Sequence, residues 1–275
     1  MIKYLSFLLL LGLAAGCTNN NDRQQTTSDN NPADDTPPMI NYSVGAVLPH
    51  DTSSYTEGLL FHDGQLYESI GTEPDMPRNR RSLFGIVDPR TGKIKPRAEL
   101  DREKYFGEGI AFLNDKVYQL TYKTHVGFIY DAKTFKKLGE FKFHSKEGWG
   151  MTTNGAQLIM SDGTSNITYL DPESFQPAKI LGVTDNNGPV TNINELELIR
   201  GFLYANQWQT NYILKIDTSS GKVVGKLDLT TLVETARNNY ADSEFLNGIA
   251  YDPATGRIYV TGKLWANIYE IKFQF

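Results

Sequence analysis

A five-bladed, all-β propeller is the fold this sequence predicts, and three observations lead to it. First, five segments share one plan: GLLFHDGQLYES (58–69), GIAFLNDKVYQLT (109–121), GMTTNGAQLIMS (150–161), LELIRGFLYAN (196–206) and GIAYDPATGRIYVT (248–261). Each is an apolar run, a turn of Asn, Asp or Gly type and a second apolar run, which is the pattern of a β-hairpin. Second, a third strand follows each hairpin, and the first four end in an acidic turn, as in FGIVDPRTGK and ITYLDPESF. Third, the last unit stops at IYEIKFQF, one strand short, while an unassigned strand, NYSVGAVL (41–48), stands at the other end of the domain. A ring whose final sheet is completed by the N-terminal strand leaves no exposed edge.

The elements follow in order. Lys3, the apolar run LSFLLLLGLAA and the small residues before Cys17 read as a secretory signal, too short for a confident membrane span. Ala14-Ala15-Gly16-Cys17 resembles a bacterial lipobox, so residues 1–17 are expected as a lipoprotein-type signal peptide with Cys17 as the lipidation site. A plain signal peptide cut nearby is the alternative. Residues 18–39, TNNNDRQQTTSDNNPADDTPPM, are polar and proline-bearing, the composition of a disordered tether. The chain is thus expected as an exported bacterial lipoprotein, anchored to a membrane by its lipid and facing the periplasm or the cell surface.

Residues 40–275 form the propeller domain. Tyr67, Tyr118, Ile159, Tyr204 and Tyr259 hold the same place in the second strand of successive units, at intervals of 51, 41, 45 and 55 residues. A fourth strand is expected in four units, around Lys95–Leu100, Leu138–Phe143, Lys179–Val183 and Val223–Leu229. The one helical pattern, LTTLVETARNN (229–239), lies before the last unit. A β-sandwich is the competing architecture, but it does not explain five like units.

Composition narrows the function. Cys17 is the only cysteine, so the folded body has no disulfide, thiol nucleophile or cysteine metal cluster. A net charge of −5 without a basic run argues against nucleic acid. His50, His62, His125 and His144 are scattered without ligand-like spacing, so no histidine metal site is expected. A monomer is expected.

In a propeller the first strand of each unit lines the central channel, and the second returns beside it. Residues before the first strand and after the second therefore meet at one channel mouth. Here they are Tyr55 to Glu57, Phe106 to Glu108, Gly148-Trp149, Asn194-Glu195 and Asn247 on one side of the hairpins. On the other side are Glu68-Ser69, Tyr122-Lys123, Ser161-Asp162, Asn206 to Trp208 and Lys263. Singly these are weak signals. A Glu at a strand entrance is more often solvated or structural, and Lys263 alone is more often a surface charge. Trp149 could plug the channel, and Asn194 and Asn247 could bond their own backbone. Asp162-Gly163 reads as an ordinary turn. Together, aromatic walls with few polar groups are the make-up of a small-ligand site.

The motifs YTEGL (55–59), YFGEGI (105–110), QLTYK (119–123), GWGMT (148–152), LIMSDGT (158–164), INELE (193–197), YANQW (204–208), NGIAYD (247–252) and VTGKLW (260–265) resemble, in order, those of the plant and bacterial type of glutaminyl-peptide cyclotransferase. The resemblance spans His50 to the C-terminus, and it implies a five-bladed propeller. It also implies an enzyme that closes the N-terminal glutamine of peptides or proteins into pyroglutamate and releases ammonia. Carried across, it implies Glu108 as general acid and base, with Lys263 and Asn194 as polar groups fixing substrate and oxyanion. Phe106, Trp149 and Trp208 become apolar walls, and Tyr55, Glu57 and Tyr122 complete the pocket. No cofactor is implied for the reaction, although a structural cation sits in the channel of some members.

Two positions depart from the family pattern: Glu57 stands where glutamine is common, and Tyr122 where tryptophan is. Tyr55 for phenylalanine is milder. A second carboxylate beside Glu108 resists joint ionisation, and it bears on substrate preference by disfavouring N-terminal glutamate or attracting a cationic amine. Two other classes compete. One is a propeller that binds peptide N-termini or sugars without turnover. The other is a glycosidase using Glu57 with Glu108, or a lactonase, for which the Asn/Glu set is thin.

Overall fold

The computed structural model describes residues 36–77 and 80–275. The expected signal peptide, Cys17 and the tether as far as residue 35 lie outside the described residues. From Pro38 the chain joins the domain, because the Lys226 amide donates to the Pro38 carbonyl at 3.0 Å and Ile40 N donates to the Lys226 carbonyl at 2.7 Å.

Strand β1 (Tyr42–Pro49) precedes the first blade, which consists of β2 (Thr56–His62), β3 (Gln65–Ile70), β4 (Leu83–Val87) and β5 (Ile94–Glu99). Blade 2 is β6 (Gly107–Leu113), β7 (Lys116–Thr121), β8 (Val126–Asp131) and β9 (Lys137–Lys142). Blade 3 is β10 (Met151–Thr153), β11 (Leu158–Ser161), β12 (Asn166–Leu170) and β13 (Pro177–Gly182). A two-residue ribbon, β14 (Thr184–Asp185) with β15 (Gly188–Pro189), leads into blade 4 and has no counterpart in the sequence reading. Blade 4 is β16 (Ile193–Ile199), β17 (Phe202–Gln207), β18 (Tyr212–Asp217) and β19 (Val223–Asp228). Helix α1 (Thr230–Asn239) follows, and then β20 (Leu246–Asp252), β21 (Arg257–Gly262) and β22 (Asn267–Phe273).

These last three strands take β1 as their fourth, antiparallel to β22 from Tyr42 opposite Phe273 to Pro49 opposite Asn267. The final blade is therefore closed by the N-terminal strand, as the missing strand implied. The inner strands complete the ring: β2 packs against β6 and β20, β6 against β10, β10 against β16, and β16 against β20.

The core is divided among the seams between blades. Leu60, Phe84, Ile110 and Val117 fill the seam of blades 1 and 2, and Leu120, Phe141, Leu158 and Met160 the next. Ile167, Val183, Leu196 and Leu203 fill the third, while Ile213, Leu232, Ile249 and Tyr269 share the fourth with α1. Leu59, Ala250 and Ile268 fill the fifth. All five residues at the repeated second-strand place are buried. The acidic turns serve as local caps: Asp131 and Asp217 each accept from backbone amides and hydroxyls two and three residues on.

Candidate active site

Four of the five inner strands enter their blades through an irregular step, while β10 pairs with β11 in unbroken register. The pairing register shifts between Thr56 and Gly58, between Gly107 and Ile110, between Ile193 and Leu196, and between Leu246 and Ile249. Inside those four steps sit Glu57, Glu108, Asn194 with Glu195, and Asn247. A bulge gives one strand an extra residue and re-aims its side chain, so these polar groups leave the alternation of the strand. Gly109 makes the step possible in blade 2. A Cβ there would lie 2.3 Å from the Met151 amide nitrogen, and Gly109 N donates to the Trp149 carbonyl at 2.8 Å. The glycine is needed for backbone approach between neighbouring blades.

The mouth is a cleft of about 530 Å³ lined by Tyr55, Glu57, Phe106, Glu108, Tyr122, Trp149, Asn194, Trp208 and Lys263, with Glu73 and Met76. All nine site residues expected from sequence within the propeller domain thus meet in one cavity. Asp162 stays out of it and caps its own turn, accepting from Thr164 N at 3.0 Å. Asn247 corrects the sequence reading: its amide donates to the Thr56 carbonyl at 2.9 Å and to Glu57 Oε2 at 3.1 Å, tying blade 5 to blade 1.

Two aromatic arcs wall the cleft. Tyr55, Phe106 and Tyr122 follow one another at 6.1 and 5.8 Å between ring centres. Trp149, Trp208 and Phe245 do so at 5.4 and 5.8 Å. Carboxylates flank both arcs. Trp149 Nε1 donates to Glu147 at 2.9 Å, and burial, then the Glu57 and Glu244 carboxylates near its ring, push the Tyr55 pKa up.

The floor carries the charge. Lys263 is paired with Glu57 Oε1, and its ammonium lies 4.3 Å from the centre of the Tyr55 ring. Glu57, Glu108 and Lys263 are 2, 4 and 4 % exposed, so all three are desolvated. Glu57 has both oxygens engaged, by Lys263 and Asn247. Burial raises its pKa, and Lys263 draws it partly back. Glu108 differs: its Oε2 is buried without a partner. Burial and then Glu57 push its pKa well up, with Lys263 opposing and Glu147 and Glu73 adding. The Glu57 charge is compensated, while Glu108 faces a carboxylate without a cation of its own, so Glu108 is the member of the pair that keeps a proton. Asn194 Oδ1 is likewise buried and unpaired.

Glu73 and Met76 escaped the sequence reading. They come from the connection between β3 and β4, residues 71–82, whereas the same connection in the other blades is four residues, 122–125, 162–165, 208–211 and 263–266. That length was the available signal. Arg102 fastens this loop, its guanidinium donating to the carbonyls of Glu73, Met76 and Arg80 at 3.0, 3.1 and 2.8 Å. Glu195 is also reassigned. It lies below the cleft, accepting from Leu59 N at 3.2 Å and Ile249 N at 2.7 Å, and so cross-links blade 4 to blades 1 and 5. Among the described residues no group of three or more His, Cys, Asp or Glu could hold a metal ion.

A family model described as glutamine cyclotransferase matches residues 10–273. A curated glutaminyl-peptide cyclotransferase of Arabidopsis thaliana is 36% identical over 233 residues, which is 84% of this chain and 71% of that protein. The crystal structure of Myxococcus xanthus glutaminyl cyclase superposes with a TM-score of 0.77 at 30% identity, over 86% of this chain and 98% of that one.

Proposed function

The chain belongs to the glutamine cyclotransferase family, and from that premise we propose that it converts the N-terminal glutamine of peptides or proteins to pyroglutamate with Glu108 as general acid and base. Family membership makes it an acyltransferase. The observation that carries the finer reading is the Glu108 carboxyl, desolvated among aromatic walls with a buried oxygen left unpaired.

The chemistry needs a neutral amine, an acid for the departing nitrogen and relief for the oxyanion. A peptide α-ammonium has a pKa of about 8, and Glu108 is raised towards it. The higher the Glu108 pKa stands, the less the transfer of one proton from the ammonium to Glu108 costs. The freed amine then attacks the side-chain amide carbon, forming the ring C–N bond while the carbonyl pair moves to oxygen. Lys263 and the Asn194 amide stabilise that oxygen. When the tetrahedral centre collapses, the bond to the side-chain nitrogen breaks. Glu108 protonates the leaving group to ammonia and takes back the extra proton of the ring nitrogen. The aromatic arcs hold the side chain folded towards the amine and exclude water, which removes much of the entropic barrier.

Protein starting at residue 39 should release ammonia from Gln-initiated peptides, and Glu108→Gln should lower kcat by roughly 10²-fold or more. Tight binding of those peptides by the wild type with no pyroglutamate by mass spectrometry would favour the second reading, a recognition module. The exported, Cys17-anchored state belongs to the same proposal. Full-length protein should sediment with membranes, and Cys17→Ser should be released as a soluble monomer; continued sedimentation of that variant would count against the anchor.

A further inference from the structure

We propose that Glu57 strengthens the cleft's choice of N-terminal glutamine over N-terminal glutamate, because it neutralises Lys263. This inference rests on the cyclotransferase reading and names the substrate discrimination of the same site.

The argument is one of charge in a desolvated space. Among the described residues lining the cleft, Lys263 is the only cation, and Glu57, Glu73 and Glu108 are the acids. The charge of Lys263 is balanced within the protein, although N–H groups not used by Glu57 can still donate to an oxyanion: Glu57 Oε1 pairs with its ammonium, and the Tyr55 ring covers it at 4.3 Å. Tyr55 packs edge-on against Phe106 in turn, 6.1 Å between ring centres. Lys263 therefore offers no uncompensated charge to a third carboxylate. A glutamine side chain brings a neutral amide, which meets the unpaired Glu108 and Asn194 oxygens as a hydrogen-bond donor. A glutamate side chain brings an anion into a cavity where Glu57 and Glu108 already oppose it, and like charges at such range in a buried site repel strongly.

The same residues predict what removing the charge does. In Glu57→Gln the Lys263 ammonium loses its partner and becomes available to a substrate carboxylate. The new side chain has a place. Its carbonyl can accept from Lys263, and Asn247 can turn its amide so that Oδ1, which is buried without a partner, accepts from the new NH2 group. Cyclisation of glutamate balances when both protons lost by the ammonium nitrogen end on the leaving oxygen. Glu108 carries the first from the amine to one γ-carboxylate oxygen, the amine attacks the γ-carbon, and the C–OH bond breaks. Glu108 passes the second proton from the ring nitrogen to the departing hydroxide to give water.

The test compares two peptides that differ only in Gln or Glu at the first position, with wild type, Glu57→Gln and Glu57→Asp. Pyroglutamate formation is followed by mass spectrometry, and binding of both peptides by calorimetry. The expected result is a rise of roughly tenfold or more in the Glu-to-Gln ratio of kcat/KM for Glu57→Gln, with tighter binding of the Glu peptide. Glu57→Asp should keep the wild-type ratio. If all three proteins cyclise the Gln peptide with the same ratio, Glu57 does not set the choice. If no protein cyclises either peptide, the cyclotransferase reading falls. Calorimetry then still decides on Glu57, since equal Glu-peptide affinity in wild type and Glu57→Gln overturns the inference.

Discussion

Glu108 owes its acid strength to neighbours on three other blades and to the walls around it. Burial is the largest influence, Glu57 the next, and both raise its pKa; Lys263 opposes them, and Glu147 and Glu73 add smaller pushes. The reactive complex holds one proton between Glu108 and the substrate amine. Below the Glu108 pKa there is one proton too many, so kcat/KM should rise with pH along a limb lying well above the usual carboxylate range. Above the amine pKa of about 8 there is one too few, and kcat/KM should fall. In Glu57→Gln an anion that raised the Glu108 pKa disappears, and a cation that lowers it loses its counter-charge. The acid limb should therefore move to lower pH while the alkaline limb, which belongs to the substrate, stays. A profile of kcat/KM against pH for both proteins checks this, and an unmoved acid limb would separate Glu57 from the ionisation of Glu108.

The strand and its entrance are where sequence and structure part company. The hairpin plan, repeated five times, was legible because apolar alternation and Asn, Asp or Gly turns are local signals. It was enough to bring Tyr55, Trp149, Trp208 and Lys263 to one mouth from positions far apart in the chain. The bulges were not legible. Whether Glu57, Glu108 and Asn194 follow the strand or step out of it depends on the partner strand's register, which no single segment encodes. For the same reason Asn247 reads as a turn former and instead holds Glu57, and Glu195 reads as a mouth residue and instead cross-links blades. The long β3–β4 connection was visible as an insertion, yet its delivery of Glu73 and Met76 depends on Arg102, which follows blade 1 at the edge of its last strand. The surroundings of Tyr55 became visible only in space, since its ring covers the Lys263 ammonium from blade 5.

A ring of blades must be held shut at its centre as well as at its seams, and here two carboxyls do that work. Glu195 joins the backbones of β2 and β20, and Glu197 accepts from Thr152 Oγ1 at 3.2 Å in blade 3. Burial pushes Glu195 well up and Glu197 up to about 8. In the unfolded chain such a group ionises at about 4.3. Between those values the folded protein keeps a proton that the unfolded chain has released, so stability is fully present below the unfolded pKa and falls as pH rises towards the folded one. The buried His50, whose pKa is raised by Glu68 despite its burial, acts in the same direction. The turn aspartates Asp88, Asp131, Asp171 and Asp217 have lowered pKa values and act below this window. The melting temperature should therefore fall from pH 5 to pH 9. Each kcal/mol corresponds to about 2–4 °C for a domain of this size. Glu197→Gln keeps an acceptor for Thr152 but has no proton to lose, so its fall over the same range should be smaller than the wild type's, with Glu195, His50 and the site carboxyls Glu57 and Glu108 left to supply the remainder. Thermal unfolding of the two proteins at pH 5, 7 and 9 measures the difference directly. Parallel curves would mean that Glu197 stays ionised in the folded ring and that the other raised groups account for the whole slope.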